Sequence, residues 1–283
     1  MKKSDACLQW GRTVLCSQWE RWQQETVEPS AVPIDVVIPI IGKDLDILPL
    51  CLEGVRHQVS HPIRDIYIVA PEEKAITDFC RNEQLTFVNE RTILGFGPRE
   101  IGLIATRKDG STVDRSGWLF QQLVKLSGNI GTCSHYLTVD ADHILISPHA
   151  FLDEQDNTIV YMSDEYHGAY YDNIRRLTGH RYWSLLSYVA HKMLFAKEEL
   201  ARLRQHIEAY NGKSWTEAII DSYDHRETSG FSEFELYGDF LQKKKKLPWR
   251  QLKLSYKQLA DYETLVSEYG ARYRSITFPS YLK

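Results

Sequence analysis

The sequence has no Cys-x-x-Cys pair, no apolar run of bilayer-spanning length, and no glycine spacing of a Walker loop or dinucleotide fingerprint. Each absence removes a class of protein. The five cysteines, Cys7, Cys16, Cys51, Cys80 and Cys133, are scattered and odd in number, which argues against a thiolate zinc centre and for a reducing compartment. Met1-Lys2-Lys3 could open a signal peptide, but Asp5, Gln9 and Arg12 interrupt any apolar core behind it, so the expectation is a cytoplasmic protein. An excess of positive charge is also missing. The 34 Lys and Arg against 38 Asp and Glu give a formal charge of −4, which offers nucleic acid no global polycation. There is no internal repeat, and the only low-complexity segment is Lys243 to Lys246.

What remains is the composition of an ordinary soluble globular chain, 43% hydrophobic and 25% charged over 283 residues. Aromatic content is high at 12%, which suits stacking on carbohydrate or nucleoside and equally suits large core and interface aromatics. Residues 4–26 place Leu8, Leu15, Trp19 and Trp22 at helical spacing, so a helix is expected with its Trp-rich face packed on the body. Glu28 to Pro33 reads as a linker. The apolar, β-branched run IDVVIPI (34–40) is a strand covered on both faces. Asp46 is expected to cap a helix with Pro49 in its first turn and a stripe of Leu45, Leu48, Leu52, Val55 and Val59. DIYIVA (65–70) is a second strand, 72–83 a helix and Leu85 to Val88 a third strand. That β-α-β-α-β order argues for a mostly parallel sheet.

Residues 89–116 mix glycines with Arg91, Arg99, Arg107, Lys108 and Arg115, as in a substrate loop or lid, or in a disordered surface excursion. A helix follows at Ser116–Leu126, and a second at Ala196–Tyr210 with Leu200, Leu203, Ile207 and Tyr210 on one face and Gly212 past its end. The polar, aromatic run 163–179 suits the wall of a polar-substrate pocket or an exposed connection. Ser214-x-x-Glu217 and Ser232-x-x-Glu235 are capping boxes, the latter with Phe231 and Leu236 as a hydrophobic staple. The tract from Lys243 to Lys257 reads first as a solvated helix end; its Trp249, Leu252 and Leu254 keep a peripheral membrane contact open.

The organising stretch is HYLTVDADHILISP (135–148), an apolar strand followed by Asp140-Ala141-Asp142 and a second apolar run. In extended backbone, residues two apart share a face roughly 7 Å apart. Mg²⁺ binds through one or two carboxylates plus substrate phosphates, and α/β sheets take ligands at the carboxyl ends of their strands. A structural turn is the alternative reading of the acidic pair.

IDVVIPI, DIYIVA and the strand-end DAD resemble a GT-A fold glycosyltransferase. Together, GWLFQQLVKL, YLTVDADHIL, HKMLF and SEFELYG resemble a group of bacterial glycosyltransferase-like proteins over about residues 33–240. The resemblance implies an α/β, GT-A-like (Rossmann-like), mostly parallel sheet flanked by helices, with Asp-x-Asp at the end of a central strand. It implies three parts: an N-terminal helix and linker (1–32), a catalytic domain (33–240), and a basic extension (241–283) packing on that domain. It further implies sugar transfer from a nucleotide-sugar donor to a glycan or lipid-linked acceptor, as in bacterial surface polysaccharide synthesis, at the cytoplasmic side. Asp140, Asp142 and His191 would hold Mn²⁺ or Mg²⁺, and Pro39, Glu72, Arg115, Lys125 and Asp140 would bind the donor. Glu233 would be the general base if the enzyme inverts. The helix N-terminus is expected to favour its ionised form and limit its basicity, while Glu235 is expected to serve only the capping box. Two other classes stay open: a nucleotidyltransferase, although Ile41-Gly42-Lys43-Asp44 lacks the glycine-rich loop, and a non-catalytic sugar- or partner-binding module.

Overall fold

The computed structural model describes residues 3–22 and 27–282. The chain opens with α1 (Lys3–Trp22), β1 (Ile34–Pro39), α2 (Leu48–Gln58), β2 (Ile63–Ala70), α3 (Lys74–Asn82) and β3 (Thr86–Asn89). It continues through α4 (Arg91–Leu94), α5 (Pro98–Ile101), β4 (Ile104–Thr106), β5 (Thr112–Asp114), α6 (Ser116–Leu126), β6 (His135–Val139), β7 (His143–Leu145) and β8 (Thr158–Met162). The C-terminal half supplies α7 (Gly168–Thr178), β9 (Lys192–Ala196), α8 (Lys197–Asn211), α9 (Trp215–Ser222) and α10 (Glu233–Phe240). It ends with β10 (Lys244–Pro248), β11 (Gln251–Lys253), α11 (Tyr262–Tyr269) and β12 (Ser275–Thr277).

Five strands form the central sheet in the order β3-β2-β1-β6-β9. The first four are parallel and β9 runs antiparallel to β6. Every residue of β1 is buried, because helices cover both faces. Ile34, Val36 and Ile38 face Leu48, Cys51, Leu52 and Val55 of α2, while Val37 faces Leu119, Phe120 and Leu123 of α6. Each such side chain contributes about 1.5–3 kcal/mol of transfer free energy, so the alternation fixes the strand's register. Asp35 is the polar exception: its Oδ2 accepts the backbone N–H groups of Thr132 at 2.6 Å and Cys133 at 2.7 Å. That contact fixes the loop entering β6, and it requires Gly131, which has φ +72° and would bring a Cβ within 2.2 Å of the carboxylate.

A second, three-stranded sheet carries β7 antiparallel to β12, with β11 beside it, over a smaller core of Ile144, Ile146, Leu254, Leu265, Ile276 and Phe278. The C-terminal segment therefore folds back beside the acidic turn, where Phe278 N–H donates to the Asp142 carbonyl at 2.9 Å.

Some local expectations are corrected. The helix α2 begins after Ile47 with no side-chain cap, so Asp46 does not cap it; Pro49 does lie in its first turn. A 3₁₀ turn at Gly42–Asp44 comes first, and Asp44 Oδ2 accepts the Ile41 N–H at 2.9 Å. Residues 89–116 are two short helices and the β4–β5 hairpin, tied down by Thr106 N–H to the His225 carbonyl at 2.7 Å. The tract 243–257 is not a helix end but contains β10 and β11, because β10 pairs with β8 and Lys244 Nζ caps the last carbonyls of α10, including Asp239 at 3.2 Å. Tyr210 is exposed, although Leu200, Leu203 and Ile207 are buried as the spacing requires. The box at Ser214 forms as expected, with Glu217 reaching back to Ser214 N–H at 3.2 Å. The expected helix over 4–26 runs to Trp22, and 23–26 lie outside the described residues; of its expected packing face Trp19 packs on the body, while Leu8, Leu15 and Trp22 are exposed.

Candidate active site

The strand order reverses between β1 and β6, and ligands of open α/β sheets sit outside the carboxyl ends at such a switch point. A cavity of about 880 Å³ lies there. Pro39 and Ile41 line it from the end of β1, and Asp140, Ala141 and Asp142 from the end of β6. Antiparallel register brings the next residue in: Val139 pairs with Lys192, so His191 falls beside Asp140 and accepts the Asp140 N–H on its carbonyl at 3.0 Å. His191 adopts φ 57°, a left-handed conformation uncommon for a side-chain-bearing residue and concentrated at functional sites.

The side chains form a chain of alternating charge. Lys253 Nζ donates to Glu165 Oε2 at 2.9 Å, and Glu165 Oε2 bonds His191 Nε2 at 3.1 Å. His191 Nδ1 bonds Asp140 Oδ2 at 2.9 Å, and Lys125 Nζ bridges Asp140 Oδ1 at 2.6 Å and Glu233 Oε1 at 2.7 Å. Burial works against every charge here, yet the partners prevail at most of them. Glu165 is held down at about 2 by His191 and Lys253, and His191 is lifted to about 10 by Glu165 and Asp140. Asp140 stays well below the usual carboxylate range against its burial because of Lys125 and His191. Burial likewise pulls Lys125 down, but Asp140 and Glu233 hold it above the ordinary lysine range. Two carboxylates go the other way. Asp142 is pushed up to about 6 by burial and by the neighbouring Asp140, and Glu233 is raised by burial despite Lys125. The helix-terminal effect expected at Glu233 is therefore outweighed, because its side chain is enclosed beneath Lys125 and the cavity wall.

The residues expected at the site divide clearly. Pro39, Arg115, Lys125, Asp140, Asp142, His191 and Glu233 all line the one cavity. Glu72 does not: it is exposed and accepts a hydrogen bond from Asn89 at 3.2 Å. Glu235 is no capping partner, though Ser232 does accept its N–H. Its carboxylate instead accepts Ser187 Oγ–H at 2.6 Å and the Tyr188 N–H at 2.9 Å, and burial raises it to about 6. Both ring nitrogens of His191 are engaged by carboxylates, so it stands as a clamped cation. Among the described residues no three His, Cys, Asp or Glu side chains converge as a ready-made metal cage. Asp142 nevertheless presents a carboxylate whose charge burial and Asp140 both disfavour, and Asp140 keeps spare lone pairs beside it. Two carboxylates suit a hard cation that takes its other ligands from phosphate and water.

Glu165, Glu90, Tyr170 and Thr277 also line the cavity. The polar run 163–179 marked a pocket wall but gave no reason to single out Glu165, whose partners His191 and Lys253 are far away in sequence. The lining also includes Lys43, Arg107, Lys108 and Arg115, the last with its guanidinium 4.2 Å over the Trp118 ring. Trp118, Tyr170 and Phe234 supply flat apolar faces.

Fold and site together define an α/β protein with a mostly parallel five-stranded sheet flanked by helices, and an acidic, cation-rimmed cavity at the sheet's switch point. The chain belongs to a family of unknown function (DUF6492), which it matches over residues 32–272. No curated protein matches it.

A pH measurement checks the placement of Glu235. A carboxyl raised above its unfolded value takes up a proton on folding, so stability falls as pH rises from about 4.5 through about 6, by on the order of 2 kcal/mol for this group. Glu235→Gln should flatten that limb of Tm against pH. A Gln variant with an unchanged pH profile would return Glu235 to a solvated cap.

Proposed function

We propose that this protein is a metal-dependent glycosyltransferase with a GT-A-like fold, moving a sugar from a nucleotide-sugar donor to a glycan or lipid-linked acceptor. The observation that carries this reading is the placement of Asp140 and Asp142 together at the carboxyl end of β6, in a cavity with cationic and aromatic walls. At about 880 Å³ the cavity falls within the range of small-molecule sites. Asp140 and Asp142 would hold Mn²⁺ or Mg²⁺, which when bound neutralises the charge growing on a leaving nucleoside diphosphate. Lys43, Arg107, Lys108 and Arg115 add positive charge to the cavity lining, and Trp118 and Tyr170 offer stacking faces for the sugar or base. Glu233 accepts the proton of the acceptor hydroxyl. Its raised affinity for protons suits a base working near neutral pH, and the bridge from Lys125 orients its carboxylate.

Incubation with a panel of nucleotide sugars and Mn²⁺, scored by nucleoside diphosphate release and by product mass, tests the proposal. One donor class should be turned over, a chelator should stop it, and Glu233→Gln should lower turnover roughly 10²-fold or more with folding intact. Consumption of a nucleoside triphosphate with a sugar phosphate, and of no nucleotide sugar, would make it a nucleotidyltransferase instead.

A further inference from the structure

A second cavity, of about 390 Å³, is walled by two helices that also wall the first. Tyr170 of α7 and Glu233 of α10 line the candidate active site, whereas Thr178 of α7 and Asp239 of α10 line this one. Along α10 the two positions are roughly 9 Å apart. Between them in sequence lies the buried Glu235, bonded to Ser187 and Tyr188. Local sequence builds the second cavity. Helix α7 ends at Gly179, which has φ +74° and where a Cβ would meet the Tyr210 ring at 2.7 Å. Beyond that turn His180 stacks on His206 of α8, with ring centroids 5.6 Å apart and 20° between the planes. The Phe240 ring lies 6.3 Å from that of His206. The polar groups here are unspent. Among the described residues no ion pair or side-chain hydrogen bond engages the side chains of Arg181, His206, Asp239 or Gln242, all of which line the cavity. Lys244 Nζ reaches the Asp239 carbonyl at 3.2 Å and not its carboxylate, and burial raises that carboxyl despite Lys244, His180 and Lys246. A half-buried carboxylate with no protein donor leaves its oxygens to water or to a ligand.

We propose that this second cavity holds one neutral sugar unit of a glycan. Charge is the first reason. Arg181 and Asp239 offset each other in the lining, so an anion would meet the carboxylate, and a cation would meet the guanidinium with Lys244 and Lys246 near Asp239. Hydrogen-bonding capacity is the second. Carboxylate, guanidinium and amide are planar two-point groups: Asp239 can accept from two neighbouring hydroxyls, Arg181 can donate to two, and Gln242 can do one of each. Adjacent ring hydroxyls present that same paired pattern. Phe240, Tyr182 and the two imidazoles add flat faces for the C–H side of a sugar ring. Size agrees as well. At about 390 Å³ the cavity stands at the small end of ligand sites, which suits one ring better than a nucleotide. A metal ion is a poorer occupant, since among the described residues no three His, Cys, Asp or Glu side chains converge. The inference does not depend on glycosyl transfer, because a non-catalytic glycan-binding module would use the same cavity. Under the transfer reading, it would hold a further unit of the acceptor against the helix that carries Glu233.

Saturation-transfer NMR on the full chain tests it, with the methyl glycosides of glucose, galactose, mannose and N-acetylglucosamine as probes. Methyl glucuronide and inorganic phosphate serve as anionic comparisons. At least one neutral glycoside should bind, and more tightly than either anion. Arg181→Ala and Asp239→Asn should each weaken that binding at least roughly tenfold, the loss expected for a hydrogen bond to a charged group. Asp142→Asn, in the other cavity, should leave it unchanged. Arg181 is exposed, so its variant decides the matter alone if Asp239→Asn does not fold. Three outcomes overturn the inference: no neutral glycoside binds, binding is lost in Asp142→Asn but not in the Arg181 and Asp239 variants, or phosphate or the glucuronide binds there in preference.

Discussion

Lys125→Met is expected to destabilise the fold by about 3–5 kcal/mol, read as a fall of roughly 10 °C in Tm. The ammonium lies buried between Asp140 and Glu233, and no other cation touches the Glu233 carboxylate among the described residues. Methionine matches the stem of lysine in volume but leaves Glu233 enclosed with no cation, beside an Asp140 that keeps only His191, so Glu233 must take up a proton. A double variant separates this cause from lost packing. Glu233→Gln removes the stranded charge, so Lys125→Met with Glu233→Gln should cost about 1–3 kcal/mol less than the sum of the single losses. Strict additivity would mean that the lysine acts only by filling space.

Asp142→Asn should do two opposite things. Activity should fall roughly 10³-fold, since several kcal/mol of charge stabilisation at the leaving group is lost. Stability of the metal-free protein should rise at neutral pH. Burial and Asp140 push Asp142 up to about 6, so the folded form resists its ionisation, and stability declines as pH rises from about 4 to about 6. Asparagine removes that penalty, a gain on the order of 2 kcal/mol at pH 7, visible in denaturant unfolding. Mn²⁺ should raise the Tm of the natural chain and leave that of the variant unmoved. A variant that is inactive and less stable would mark Asp142 as a structural acid.

Local pattern made much of this architecture readable. The all-apolar β1 and the stripe of α2 required a strand covered by helices, and the acidic pair after β6 pointed to the cavity. His191 was reachable only through a resemblance, because what places it is the register of β6 against β9, a pairing across 51 residues. Glu165 escaped for the same reason, lying in a helix-free turn with partners on β9's threshold and on β11. Glu235 shows a pattern that misleads: Ser-x-x-Glu satisfied the capping rule, while the fold had turned the carboxylate toward Ser187 and Tyr188. In α1 the expected apolar spacing packs on the body only at Trp19, while Leu8, Leu15 and Trp22 stay exposed. Periodicity identifies the spacing, but the side of α1 that meets the body also carries Gln9, Arg12 and Cys16, which the apolar pattern alone did not select.

Calorimetric titration of a nucleoside diphosphate, with and without Mn²⁺, into the natural chain and Asp142→Asn tests the central claim most directly. Binding by the natural chain should require the metal and should be lost in the variant at an intact fold. Metal-independent binding of equal strength in both proteins would contradict the assignment of Asp140 and Asp142 to a cation-bridged diphosphate.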